Sequence, residues 1–161
     1  RFEREAPEPH FSEVRFAEWL ADEVDAVRLL GRDLAITVDT STLPENLVVD
    51  LDRKAMPYAL RNLLRNAFKY ARQQIVVSAS LEDGHAVINV DDDGIGIPHE
   101  DRENVFSAFT RLDRSRDRAT GGYGLGLAIT RRVLELHGGT ATADAAPLGG
   151  ARFTLVWQVR Q

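Results

Sequence analysis

The sequence contains no cysteine among its 161 residues. Disulfides and thiolate metal sites are therefore excluded, while the compartment is left open. No apolar run approaches the roughly 20 residues that span a bilayer. No signal peptide stands at the N-terminus. The chain opens at Arg1 rather than Met and is expected to be a fragment, so these absences leave the parent protein's relation to a membrane open. An excess of positive charge is also missing. Lys and Arg number 20 against 25 Asp and Glu, a net charge of -5, which disfavours nonspecific binding to nucleic acid. Two common phosphate-binding patterns are absent as well: there is no G-x-x-x-x-G-K-[ST] and no dinucleotide G-x-G-x-x-G.

What is present reads as one soluble globular domain, with 43% hydrophobic and 28% charged residues. Residues 1–12, with two prolines and several charges, read as a linker or the end of a preceding dimerisation helix. The domain proper is assigned to 13–161. Phe16, Trp19, Leu20, Val24, Val27 and Leu30 recur at helical spacing, with Gly31 as the stop. Leu34–Val38 and Leu47–Leu51 read as short strands around a turn at Pro44. Residues 54–71 form the strongest helix, and Pro57 suits its first turn. Ile75–Leu81 and Ala86–Val90 are strands joined by a hairpin turn at Glu82-Asp83-Gly84. A short helix is expected around Glu100–Phe106. A second strong helix covers 125–137, with Leu125, Ile129, Val133 and Leu136 on one face and Gly138-Gly139 as its end. Thr140–Ala143 and Ala151–Val159 complete the strands. Hairpins rather than regular βαβ units favour helices packed on one face of a mixed sheet.

The 54–71 helix segregates two faces. Advancing about 100° per residue, Leu60, Leu63, Leu64, Ala67, Phe68 and Ala71 form an apolar stripe. Asn62, Asn66, Lys69 and Tyr70 gather opposite. A solvated polar face explains that gathering as readily as a site does. Yet Asn is mildly unfavourable inside a helix, its amide oxygen is a hard neutral ligand suited to Mg²⁺, and a lysine suits a phosphate.

Three glycine-rich segments follow. The first, Asp91-Asp92-Asp93-Gly94-Ile95-Gly96-Ile97-Pro98, directly succeeds a strand. Asp93 is an acceptor suited to the exocyclic amine of adenine. From Asn89 to Glu100 the chain nearly spells a calcium loop, but Asn at position one, Pro98 within it and a preceding strand argue against that reading. A plain turn is the alternative. The second, Gly121-Gly122-Tyr123-Gly124-Leu125-Gly126-Leu127, opens a helix, where free N–H groups and the positive dipole end favour an anion. Close packing is the alternative there. The third is Leu148-Gly149-Gly150-Ala151-Arg152-Phe153. Between the first two, Phe106 to Asp113 is followed by Arg114, Arg116 and Arg118. A solvated loop is the ordinary reading of such charges, and a lid over a nucleotide is the functional one.

Together these segments resemble the catalytic domain of sensor histidine kinases, within the wider family of gyrase, Hsp90 and MutL ATPases. Asn62 to Tyr70 looks like the N box, Asp93-Gly94-Ile95-Gly96 like the first G box, Phe106 to Arg111 like the F box, and Gly122 to Leu127 like the second G box. The run Ser115 to Gly122, with Gly149-Gly150-Ala151-Arg152-Phe153, looks most like the RstB branch. The resemblance implies an α/β (α+β) two-layer sandwich of the Bergerat type, with a mixed, mostly antiparallel sheet of about five strands and three main helices on one face. It also implies ATP and Mg²⁺ as ligands. Asn66 is then the Mg²⁺ ligand, supported by Asn62. Lys69 contacts phosphate and Tyr70 lies over the nucleotide. Asp93 receives the adenine amine, with Gly94, Gly96 and Ile97 close by. Gly122, Tyr123, Gly124, Leu125 and Gly126 fold over the phosphates, and Arg111 is the lid cation. Asp92 stands where relatives commonly carry Asn, and Ala151 interrupts a stretch in which many carry an adenine-binding Thr.

Hydrolases of the wider family place a Glu base one turn before the metal-binding Asn. Asn62 occupies that position and takes no proton, which favours transfer to another acceptor. The His-Glu-x-x-x-Pro context of an acceptor occurs at none of His10, His85, His99 and His137. These four read as surface or structural residues. The acceptor is therefore expected on an upstream dimerisation domain, and a response regulator is expected to receive the phosphate. The fragment is expected to be monomeric, and to form the cytoplasmic portion of a membrane-bound, homodimeric inner-membrane sensor. A non-catalytic nucleotide-binding scaffold and an ATP hydrolase are the competing readings.

Overall fold

The computed structural model describes residues 8–29, 33–107 and 124–159, with side chains from Gly126 onward in the last stretch. Strand β1 (Phe11–Arg15) runs straight into helix α1 (Phe16–Arg28). Strands β2 (Ala35–Asp39) and β3 (Val48–Asp52) precede helix α2 (Met56–Tyr70). The hairpin of β4 (Gln74–Glu82) and β5 (His85–Asp92) leads to two 3-10 turns, His99–Asp101 and Asn104–Phe106. Helix α3 (Gly124–Leu136) and strands β6 (Thr140–Ala145) and β7 (Ala151–Gln158) close the fold.

The main sheet has five strands in the order β2-β4-β5-β7-β6. Only its β2–β4 pair is parallel; the other pairs are antiparallel. Period-two alternation sends Ile75, Val77, Ala86, Ile88, Val90, Phe153, Leu155 and Trp157 into one core. The same core takes Phe16, Leu20 and Val24 of α1 and Leu60, Leu63 and Leu64 of α2. The expected two-layer mixed sandwich is therefore present, and among the described residues no helix covers the sheet's other face. Each fully buried leucine of α2 contributes about 1.5–3 kcal/mol of hydrophobic stabilisation.

The β4–β5 turn is tight. Glu82 pairs with His85, leaving Asp83 and Gly84 at φ 53° and 76°, the geometry of a two-residue primed turn. In place of the single helix expected around 100–106, the chain makes two separate 3-10 turns.

Two further expectations are corrected. Strands β2 and β3, read as flanking a turn at Pro44, do not pair with each other. Strand β3 pairs antiparallel with β1 in a separate two-stranded sheet, while β2 lies parallel to β4. Strand β1 itself falls partly within the stretch read as a linker. Its partner lies far along the chain, so local periodicity carries no sign of the pairing. On α3, Ile129 is 45% exposed, whereas Leu127, Thr130, Val133 and Leu134 are buried. On the buried face the Thr130 hydroxyl donates to the Ala59 carbonyl of α2 at 3.0 Å. Gly31 lies outside the described residues.

His137, just past α3, ties the small sheet to the main body. Its Nε2 accepts the Asp52 backbone N–H at 3.0 Å. Its Nδ1 then carries the proton and donates to the Val133 carbonyl at 2.8 Å. The ring packs edge-on against Phe11 of β1 and Trp157 of β7. The Trp157 indole donates to the Asp50 carbonyl of β3. Burial pushes the His137 pKa down, against the opposing pull of the Val133 carbonyl and of Asp52 and Asp50.

Candidate functional site

Helix α2 buries Met56, Pro57, Ala59, Leu60, Leu63, Leu64 and Ala67. Its opposite side carries Asn62 and Asn66, both half-buried, and the exposed Lys69. Among the described residues, neither asparagine side chain has a hydrogen-bond partner. Helix α3 starts beside them. A Cβ added to Gly126 would lie 3.8 Å from the Asn62 amide oxygen, an ordinary contact. The first turn of α3, whose leading N–H groups have no partner within the helix, thus meets the polar stripe of α2 at Asn62. This is an arrangement that suits a chain of phosphates and a hard cation.

The other half of the site lies where β5 ends. The three consecutive aspartates there have different surroundings. Asp91 stands on the open side of the sheet and pairs with Arg152. Asp92 stands on the helix side and is only 2% exposed. Its Oδ1 accepts the backbone N–H of Gly94 at 2.9 Å and of Ala151 at 3.1 Å. Burial pushes its pKa up, the two amides oppose that shift, and the charges of Asp93 and Asp91 add to it. Asp93 lies beyond the strand. Its Oδ1 accepts the Arg72 N–H at 2.7 Å, and both its oxygens accept from Gln73. Burial raises its pKa, but the Arg72 and Gln73 amides outweigh that and hold the carboxyl below its ordinary value.

Close backbone contacts shape this corner. A Cβ on Gly94 would collide with the Tyr70 carbonyl at the end of α2. A Cβ on Gly150 would collide with Oδ1 and the backbone oxygen of Asp92 and with the Gly94 nitrogen. Both positions therefore require glycine. Ile97 is 6% exposed and belongs to the core. Its carbonyl is held by Arg102 Nε at 3.1 Å, and Arg102 also pairs with Asp144 of β6. Phe106, first of the aromatic segment, is buried edge-on against Phe153.

The structure thus gathers Asn62, Asn66, Lys69, Tyr70, Gly94, Gly96, Ile97 and Gly126 around the end of α2, the end of β5 and the start of α3. Arg111, Gly122 and Tyr123 lie outside the described residues. Gly124 and Leu125 are described only as the first residues of α3. Sequence reading missed Asp92 and the packing of Gly150 and Ala151 against it. A period-two count from Ile88 and Val90 carries the signal, because it places Asp92 on the core face. A groove of about 610 Å³ lies instead at the opposite end of α2, lined by His10, Asp52, Tyr58 and Leu136. It holds none of the expected site residues. Among the described residues no group of three or more His, Asp or Glu could hold a metal.

A nucleotide-binding ATPase domain is the class that this fold and site define. The chain belongs to the family of histidine kinase-, DNA gyrase B- and HSP90-like ATPases, which matches residues 51–161. It is 41% identical over 157 residues to sensor protein RstB of Escherichia coli K12, covering 98% of this chain and 36% of that protein. It is 44% identical over 103 residues to sensor histidine kinase CpxA of the same organism, covering 64% of this chain and 22% of that protein. The chain therefore spans about a third or less of the length of these relatives. Among solved structures, mycobacterial sensor histidine kinase MprB superposes with a TM-score of 0.75 at 29% identity, covering 94% of this chain and 99% of that one. The ATP binding domain of PrrB from Mycobacterium tuberculosis gives 0.74 at 25% identity, with 94% and 98% covered. No described helix is long and apolar enough to cross a membrane.

Proposed function

We propose that this chain is the ATP-binding catalytic domain of a two-component sensor histidine kinase, and that it transfers the γ-phosphoryl of ATP to a histidine on an upstream dimerisation domain. The observation that carries the reading is the facing of Asn62 against Gly126 in the first turn of α3, with Asn66 one turn further along α2 and the buried Asp92 carboxylate at the far end. In this reading Asp92, rather than Asp93, accepts the adenine amine. Asp92 has one oxygen fixed by two amides, whereas both oxygens of Asp93 are engaged by the Arg72 and Gln73 backbone. Tyr70 and Gly94 bound the base. Lys69 and the start of α3 hold the phosphates, with Gly122, Tyr123, Gly124, Leu125 and Arg111 closing from the lid.

Asn66, supported by Asn62, fits Mg²⁺, which when bound supplies charge neutralisation to the triphosphate. The half-buried amide oxygens without partners are the basis of that fit. The acceptor imidazole nitrogen forms a bond to the γ-phosphorus as the bond to the bridging oxygen breaks and ADP leaves. The domain's own residues position and stabilise, and no carboxylate at position 62 activates water. A response regulator is the onward acceptor. The parent protein is read as a membrane-anchored homodimer with this domain in the cytoplasm.

The test supplies the upstream domain in trans with labelled ATP and Mg²⁺. Acid-labile, base-stable label on that domain is expected, and Asn66→Ala should abolish it. Nucleotide binding without transfer would instead favour a scaffold, and rapid free phosphate release a hydrolase. Wild-type transfer by Asn66→Ala removes the role given to that residue.

A further inference from the structure

Asp91 and Arg152 stand directly opposite each other on the β5–β7 pair, on the open side of the sheet. The guanidinium forks onto both carboxylate oxygens, Nε to Oδ1 at 2.7 Å and Nη2 to Oδ2 at 2.8 Å. Only 6% of the Asp91 side chain is accessible. A carboxylate so buried requires a charged partner. One residue further along β5, on the helix side, is Asp92. Its second amide donor is Ala151, the residue that precedes Arg152. Arg152 is thus linked to Asp92 twice: through space, by opposing the Asp91 charge, and through the backbone, by fixing the start of β7.

We propose that Arg152 is a positioning residue of the nucleotide site: its fork on Asp91 leaves Asp92 as the one charged acceptor for the exocyclic amine of adenine. The inference rests on the adenine role given to Asp92 above. The groups around Asp92 are few. Asp91 and Asp93 are its chain neighbours. Arg152 lies on β7 and is also influenced by Asp144 of β6. Strand β4 presents Ile75 opposite Asp92, and α2 presents the Tyr70 carbonyl beside Gly94. Of these, Arg152 is the cation the structure ties to the aspartate run by a side-chain hydrogen bond. Without it, the Asp91 charge acts on Asp92 unopposed and favours the protonated acid, whose capacity to accept is reduced.

The test measures ATP binding with Mg²⁺ by calorimetry from pH 5 to 9, on the full chain and its variants. In the wild type, affinity falls on the acid side as Asp92 takes a proton. Arg152→Gln should move that acid limb upward by about one pH unit, the size expected of one uncompensated neighbouring charge. On the acid side of that limb affinity should fall about tenfold at a given pH. Arg152→Lys keeps a charge and should keep the limb in place. Asp91→Asn combined with Arg152→Gln removes both charges and should return the limb to its wild-type position. A purely structural role does not produce that return. Should Arg152→Gln fail to fold, Arg152→Met, which keeps the aliphatic length without the charge, carries the same comparison. An unshifted limb in Arg152→Gln, or a shifted limb in the double variant, overturns the inference alone. Wild-type affinity in Asp92→Asn overturns the adenine reading beneath it.

Discussion

Three neighbouring aspartates show how position sets chemistry at the scale of a residue. Asp91 is paired with a guanidinium, Asp93 holds the amides after α2, and Asp92 is buried with one oxygen fixed by two N–H groups. Burial raises the Asp92 pKa in the folded state. Its contribution to stability is therefore full below the unfolded value of about 3.9 and is lost as pH rises through the raised folded value. At neutral pH the charge is a cost to the apo fold. Asp92→Asn keeps the Oδ1 acceptor and removes that cost, so its Tm should equal or exceed that of the wild type. The same variant should bind ATP about 10–100-fold more weakly, since a hydrogen bond to a charged group contributes about 1.5–3 kcal/mol. A fall in Tm with unchanged ATP affinity would reverse both assignments. The sequence makes the aspartate run visible. It does not say where β5 ends, and that end decides which carboxylate is turned inward.

At the scale of elements, the site is a junction: the end of α2, the end of β5, the start of β7 and the first turn of α3. Two glycines test that geometry in opposite directions. Gly150 has backbone atoms of Asp92 and Gly94 where a Cβ would be, and backbone does not yield cheaply. Gly150→Ala should cost about 1–3 kcal/mol, the range for overpacking, and lower Tm accordingly. Gly126 lies inside α3 with only an ordinary contact to Asn62. Gly126→Ala should leave the apo fold unchanged or stabilise it by about 0.5–1 kcal/mol, because alanine is the better helix residue. Equal effects in thermal unfolding would contradict the junction. Helix α2 was legible because both of its faces are written in one contiguous stretch. The junction was not, because its four parts come from residues 70, 92–97, 126 and 150–151.

For the molecule as a whole, His137 is the clearest lever on stability. It joins α3, β3 and, through its ring contacts, β1 and β7. Its pKa is lowered by burial, so the folded state resists a proton that the unfolded state takes up below about pH 6.5. Stability should therefore fall as pH drops below that point. Asp52 acts in the same direction at lower pH. Burial raises its pKa, but the amides of His10, Ala55 and Lys54 and the nearby His137 outweigh that and hold it low. Its contribution is present above about pH 3.9 and lost beneath. Chemical denaturation of His137→Gln between pH 7 and 5.5 should show a flatter dependence than the wild type, because the titrating ring is gone. His137→Ala, which strands the Asp52 N–H and opens a cavity, should cost about 2–3 kcal/mol. The sequence by itself determined the helices, most strands and the segregated faces of α2, because these follow from hydrophobic period and turn residues within a short span. It also carried the ordered motifs that mark the ATPase family. Tertiary structure decided that β3 pairs with β1, that α3 packs through Thr130 onto Ala59, and that Asp92 is the buried carboxylate. Each of these depends on contacts between residues far apart in the chain, which local periodicity does not encode.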